Sequence, residues 1–240
     1  MGSDAIKYYG NLTYLPVGGL LLGVAFWSLR HFGIDGVHGI GWLSFTGFAI
    51  MWVSAEIIWI VSELIFQIDP YPSAADLFYV MGYPFLLVFL VSYLVPFKEA
   101  ISKKLIIIAI ALSFVSLVLS INFQTNEIDI TKVSFETIKS FDVVFSVAYV
   151  MADGMILVPT ILGIGLFLRD NNRNKPMWFL IFLGVLFSLV GDSYFMILEA
   201  NEEYYTGHPG ELLFYFAYVM MAFGVYGYGK NYKNYFMKTQ

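Results

Sequence analysis

The sequence predicts an all-α integral membrane protein of seven transmembrane helices, and three observations carry that prediction. Of 240 residues, 59% are hydrophobic and only 13% charged, with a mean hydropathy of +0.72, which a soluble domain does not show. Apolar stretches long enough to cross a bilayer, which takes ~20 residues, follow one another with short polar punctuation. Lys and Arg gather in alternate loops, the pattern of a chain threaded back and forth through a membrane.

The seven stretches run from Leu12 to Arg30, Ile40 to Gln67, Ala74 to Phe97, Ser102 to Phe123, Lys139 to Arg169, Pro176 to Glu199 and Pro209 to Gly229. The first has acid rather than base before it and no small-residue cleavage site after it, so it reads as a retained helix and not a signal peptide. Ser73 followed by Asp76 forms a capping box at the start of the third. The fifth exceeds what a bilayer demands, so it tilts, kinks near Pro159 or protrudes. The sixth opens on Pro176, and the seventh places Pro209 at its first position with Glu211 following. Glycines 18, 19, 23, 163 and 165 suit close helix contact better than phosphate binding.

Orientation follows from the basic residues. Arg30, Lys98, Lys103, Lys104, Arg169, Arg173, Lys175, Lys230, Lys233 and Lys238 fall on one side, against Lys7, Lys132 and Lys139 on the other. The N-terminus is therefore expected outside and the C-terminus inside. The outer side collects acid instead, at Asp69, Glu127, Asp129, Glu136, Glu202 and Glu203, which a solvated face explains.

Several function classes are excluded. The net charge of −5, with no basic run, argues against nucleic acid. Zero cysteines rule out disulfides, thiolate metal sites and a cysteine nucleophile. No Lys lies between Pro209 and Gly229 to hold retinal, and the three His, at 31, 38 and 208, sit in or beside loops, so no haem and no other cofactor is expected. His31, Asp35 and His38 have a metal-like spacing, but no metal is assigned to them. No nucleophile-elbow, P-loop or dinucleotide motif is present.

The chain is weakly self-similar when shifted by about 136 residues. Trp42 aligns with Trp178, Ala55-Glu56 with Gly191-Asp192 and Glu63 with Glu199; after one residue is lost, Asp76-Leu77 aligns with Glu211-Leu212 and Gly82-Tyr83 with Ala217-Tyr218. Helices 1 to 3 then match helices 5 to 7, with helix 4 as linker. This is a parallel 3+1+3 plan within a single domain spanning 1–240, with repeat A at about 12–97, the linker helix at 102–123 and repeat B at about 139–229. Repeats of this kind place their site between the halves near the midplane.

A carboxylate at that depth is costly unless protonated, paired or facing water, so each one calls for a functional account. Glu56 lies roughly 15 Å from the outer end of its helix at the helical rise. Asp192 is its counterpart, Asp153 lies near the centre of helix 5, and no Lys, Arg or His sits at their level. Retained protons, a bound cation or amine, or an aqueous cavity are the available solutions. Trp52, Glu56, Trp59 and Glu63 share one helical stripe, matched by Ser188, Asp192, Phe195 and Glu199. Tyr83 and Tyr218 enter at the depth of the acids, where their hydroxyls can reach them. These residues describe an aromatic-walled site for a small cationic or hydrogen-bonding ligand, with Glu63 and Glu199 at its mouth. Tyrosine–carboxyl bonds that merely fasten helices together are the plainer account of the same residues.

The run Pro70-Tyr71-Pro72-Ser73-Ala74-Ala75-Asp76-Leu77-Phe78-Tyr79 with Gly82-Tyr83-Pro84 resembles a segment of the multi-helix membrane sensor domains found ahead of bacterial diguanylate cyclases. Ala148-Tyr149 with Asp153, and Gly191-Asp192 with Tyr204 or Tyr205, resemble further elements of that group, over roughly residues 40 to 225. The resemblance implies a membrane input domain whose ligand is generally undefined. Those proteins continue into an output domain, so a separate cytoplasmic signalling partner is expected here.

The expected function is a stand-alone sensor or receptor-like protein of the cell membrane, without catalytic activity. It would bind its ligand through Glu56, Asp153, Asp192, Tyr83, Tyr218, Trp52 and Trp59. A small transporter of the same topology is the alternative, although the Pro-Gln motif of the sugar transporters that share the plan is missing. A lipid hydrolase stands third, because Leu186 to Asp192 resembles the Gly-Asp motif of the lysoplasmalogenase-like family while its downstream His is absent.

Overall fold

A computed structural model of the chain describes residues 2–125, 141–169 and 175–236. Among these residues there is no strand, and seven helices are long and apolar enough to cross a membrane. The protein is a multi-pass membrane protein. Its helices are α1 (Gly2–Phe32), α2 (Gly36–Ile60), α3 (Ala74–Leu94), α4 (Lys103–Thr125), α5 (Phe141–Arg169), α6 (Lys175–Ala200) and α7 (Leu212–Phe236).

The ends of these helices differ from the hydropathy boundaries in instructive ways. α1 begins well before Leu12, because the polar residues ahead of the apolar stretch find partners in the bundle: Asn11 is buried and donates to Glu63 at 2.7 Å. α2 runs on through a π-helical turn, Val61–Phe66, and stops where Gln67 turns left-handed. α3 starts with the expected capping box, in which Ser73 Oγ accepts from Ala75 and Asp76 accepts from the Ser73 amide at 2.7 Å. It ends in a 3-10 turn, Val95–Ala100. A 3-10 turn, Pro209–Glu211, leads into α7. Lys132 and Lys139, with the acids at 127, 129 and 136, lie outside the described residues.

Six helices form a closed ring in the order α1, α2, α3, α5, α6, α7 and back to α1. α4 stands outside the ring against α5, where Ser113 Oγ donates to the Gly154 carbonyl at 2.6 Å. Its other faces are apolar and exposed, at Ile107, Ile110 and Phe114 among others. Such faces suit contact with lipid tails.

Since lipid is as apolar as leucine, the ring is held by packing and by internal hydrogen bonds more than by water exclusion. At the end carrying the α1–α2 turn, the interior is filled with aromatic rings. Trp42 and Trp178 each pack against both Tyr93 and Tyr228, with centroids between 4.1 and 5.9 Å apart. The opposite end, called the rim below, holds the start of α1 and the loops after α2 and α6. Between rim and aromatic plug lies the polar interior.

Candidate functional site

Each predicted site residue in the ring interior is placed by its helix, and the contacts cross from one side of the bundle to the other. Glu56, on α2, is 6% exposed and accepts from the Tyr218 hydroxyl of α7 at 2.5 Å. The Tyr79 hydroxyl of α3 lies beside the same carboxyl. Asp192, on α6, accepts from the Tyr83 hydroxyl of α3 at 2.8 Å. That same hydroxyl stands 2.8 Å from Asp153 on α5. The tyrosine of α3 thus serves the acid of α6, and the tyrosine of α7 serves the acid of α2.

A phenol carries one hydrogen, so it donates to one of Asp153 and Asp192 at a time. The second contact is satisfied either by sharing that hydrogen or by a carboxyl that donates back to the phenol oxygen.

Trp52 fixes the space between the two tyrosines. Its ring lies 6.1 Å from Tyr83 and 5.8 Å from Tyr218, and its indole N–H donates to the Tyr79 carbonyl at 3.3 Å. Gly82 makes this possible, because a β-carbon there would lie 2.5 Å from the indole ring. Trp59 stands two turns nearer the rim, against Phe195 and Tyr204 at 5.9 and 6.2 Å.

These side chains border a cavity of about 60 Å³ whose lining includes Glu56, Asp76, Asp192 and Trp52, with no Lys, Arg or His. A space of this size holds a handful of waters or one small molecule. Trp59 and Tyr218 also line it, whereas Asp153 and Tyr83 stand behind the wall and reach it through Asp192. Toward the rim lies a second, open space of about 860 Å³, a vestibule lined by Lys7, Glu63, Asp69, Glu199 and Glu202. Glu63 and Glu199 are both in the vestibule wall. The Glu63 carboxyl, however, is already engaged by Asn11, by Thr206 at 2.6 Å and by Lys7 at 3.4 Å.

Residues outside the expected binding set complete the site. Tyr149, on α5, donates to Asp76 at 2.9 Å, so the capping acid of α3 also belongs to the cavity wall. Tyr14, on α1, packs edge-on against Tyr218 at 6.3 Å, as Tyr149 packs against Tyr83 at 6.2 Å. Glu211 is buried and accepts from Tyr204, Tyr215 and the Gly207 amide. Burial first, and then the neighbouring Glu211 carboxylate, push the Tyr204 phenol well above its ordinary pKa, so its hydroxyl stays a donor. One signal pointed to two of these residues: Tyr14 and Tyr149 stand 135 positions apart, the spacing that also relates Tyr83 to Tyr218.

The histidines at the facing ends of α1 and α2 have other company. His31 stacks on Trp27 at 5.1 Å and His38 lies against Tyr93. Among the described residues, no group of three His, Cys, Asp or Glu side chains is arranged to hold a metal ion. No family model, no curated protein and no solved structure matches the chain.

Proposed function

We propose that this protein is a membrane sensor of receptor type that binds a small cation or polar amine in the cavity between two parallel three-helix halves. The observation that carries the reading is the cavity itself: three carboxyl groups face a space whose other walls are aromatic rings, phenol hydroxyls and Met196, with no basic side chain to neutralise them. Aromatic faces and carboxylates attract the same ligand, a compact cation. Glu56, Asp192 and, through Tyr83, Asp153 set the charge; Tyr218 and Tyr83 orient the acids; Trp52 and Trp59 wall the space.

The crossed pairs support the duplicated plan. Tyr83 to Asp192 and Tyr218 to Glu56 exchange places under the shift that relates helices 1 to 3 with helices 5 to 7, and so do Trp42 and Trp178. The ring order supports it as well, since α3 meets α5 as α7 meets α1. With the basic residues inside, the rim and its acidic vestibule face outward, so a ligand arrives from outside the cell membrane. The resemblance to bacterial sensor domains fits this arrangement.

Intrinsic tryptophan fluorescence of the purified protein, titrated with methylammonium and with urea as a neutral control, tests the reading. The expected result is a saturable change with methylammonium alone, absent in Glu56→Gln with Asp192→Asn. A featureless titration would falsify it. The exchange symmetry of the halves favours a transporter as second reading, and methylammonium flux into proteoliposomes decides for that alternative.

A further inference from the structure

Tyr204 lines both the cavity and the vestibule, so it stands between them. It belongs to the short loop 201–208 that joins α6 to α7, and the ring is wedged between Phe195 at 4.7 Å and Trp59. The loop turns on two left-handed residues, Glu202 with φ 55° and Gly207 with φ 91°. Between these pivots it is held by two carboxyl groups that come from other elements. Glu211, at the start of α7, takes the Tyr204 hydroxyl at 2.8 Å and the Gly207 amide at 2.9 Å. Glu63, at the end of α2, takes the Thr206 hydroxyl at 2.6 Å and, with the same oxygen, the Asn11 amide of α1 at 2.7 Å. α1 presses on the loop directly, since a β-carbon on Gly10 would lie 2.7 Å from the Gly207 nitrogen.

Apart from the wedged Tyr204 ring and the Gly10 contact, the loop is held by polar bonds concentrated at these two carboxyl groups, whereas the helices on either side pack along their lengths. A segment hung in this way opens as a unit when its catches release. We propose that loop 201–208 is a lid over the cavity, with Tyr204 as its plug and with Glu63 and Glu211 as its catches. Release of the catches joins vestibule to cavity and admits a small cation; what passes rests on the binding reading, but the existence of the lid does not. Because Asn11 and Lys7 share Glu63 with the lid, the start of α1 sets how firmly the lid is shut.

The absence of cysteine gives a clean test. Met196 lines the cavity and is 8% exposed, so Met196→Cys places a single thiol behind the lid. Its modification by an ethylammonium methanethiosulfonate is followed by mass on the full-length protein in detergent. In this background Thr206→Ala removes a bond to a carboxyl group and is expected to speed labelling by about tenfold or more. Thr206→Ser, which keeps the hydroxyl, returns the slow rate. Tyr204→Ala removes the plug and labels fastest; Tyr204→Phe keeps the ring, loses the Glu211 bond and falls between. Should Thr206→Ala lose its fold by circular dichroism, the Tyr204→Phe rate carries the test alone. Equal rates in Thr206→Ala, Tyr204→Ala and the Met196→Cys background overturn the lid, and so does a background rate matching that of a free thiol. Gated labelling without methylammonium binding sinks the binding reading and leaves the lid, while binding without gating sinks the lid alone.

Discussion

Replacing Tyr83 by Phe removes one oxygen atom and two contacts, those to Asp153 and Asp192 at 2.8 Å each. Replacing Tyr218 by Phe removes one, to Glu56, which keeps the Tyr79 hydroxyl beside it. In water, a hydrogen bond to a charged group is worth about 1.5–3 kcal/mol. Between helices in a membrane the measured values are smaller, averaging about 0.6 and reaching about 1.7 kcal/mol, because the dissociated helices also find partners. The membrane scale applies here, so Tyr83→Phe should cost about 1–3 kcal/mol and Tyr218→Phe about 0.5–1.5 kcal/mol. Unfolding in mixed micelles of increasing denaturing-detergent fraction, followed by circular dichroism, measures both. The same titration on Asp192→Asn and on the double variant yields their coupling, expected to be at least about 0.5 kcal/mol for groups in contact. The order matters more than the size. If Tyr218→Phe costs as much as Tyr83→Phe, or if Tyr83 and Asp192 show no coupling, the bridge between the two acids does not hold the helices as argued.

Further outcomes follow from close contacts. Gly82→Ala drives a methyl group into the Trp52 indole and should cost about 1–3 kcal/mol by overpacking, with a shift in tryptophan emission; unchanged emission would count against the placement of Trp52. Gly19→Ala meets nothing within 4 Å and should be neutral or slightly stabilising in the same unfolding assay, since alanine favours helix. Asn11→Leu leaves Glu63 with one partner fewer and should lower the unfolding midpoint by more than Thr13→Val, whose exposed hydroxyl donates to the Tyr9 carbonyl of its own helix. Gly10→Ala, pressed against Gly207, should loosen the loop after α6 and raise proteolytic cleavage there, with helix content unchanged by circular dichroism.

The spans were legible because a bilayer imposes a length and a composition that few other structures satisfy. What hydropathy misses is polar residues whose partners come from distant parts of the chain. The first turns of α1 carry Lys7 and Asn11, which count against a span until Glu63 is seen to hold them both. The π-helical turn after Ile60 leaves no mark in composition, although it brings Glu63 to the rim. At the site, depth along the helices was readable and placed Tyr83 and Tyr218 level with the acids. Which tyrosine meets which acid depends on the ring order, and α4, standing outside the ring, shows why chain order is a poor guide to that. Asp76 and Glu211 each have a sufficient local role at a helix start, so nothing in their sequence surroundings announces that they also face the interior.

The crossed pairs bear on how binding could be felt elsewhere in the bundle. The acids that face the cavity are the same groups that tie α2 to α7 and α3 to α6, by single hydroxyls. An ammonium group entering the cavity competes for those oxygens, because a carboxylate that turns toward the cation gives up its best geometry with the phenol. On the proposed binding reading, ligand affinity and the attachment of one side of the ring to the other are linked, and whatever loosens the tyrosine bonds should tighten binding by at most the free energy of those bonds. Tyr218→Phe then has two opposed consequences: a less stable bundle and a tighter site for methylammonium. A titration in which Tyr218→Phe binds methylammonium more weakly than the wild type would show instead that the hydroxyl serves the ligand directly, and that the halves are held together by their apolar contacts alone.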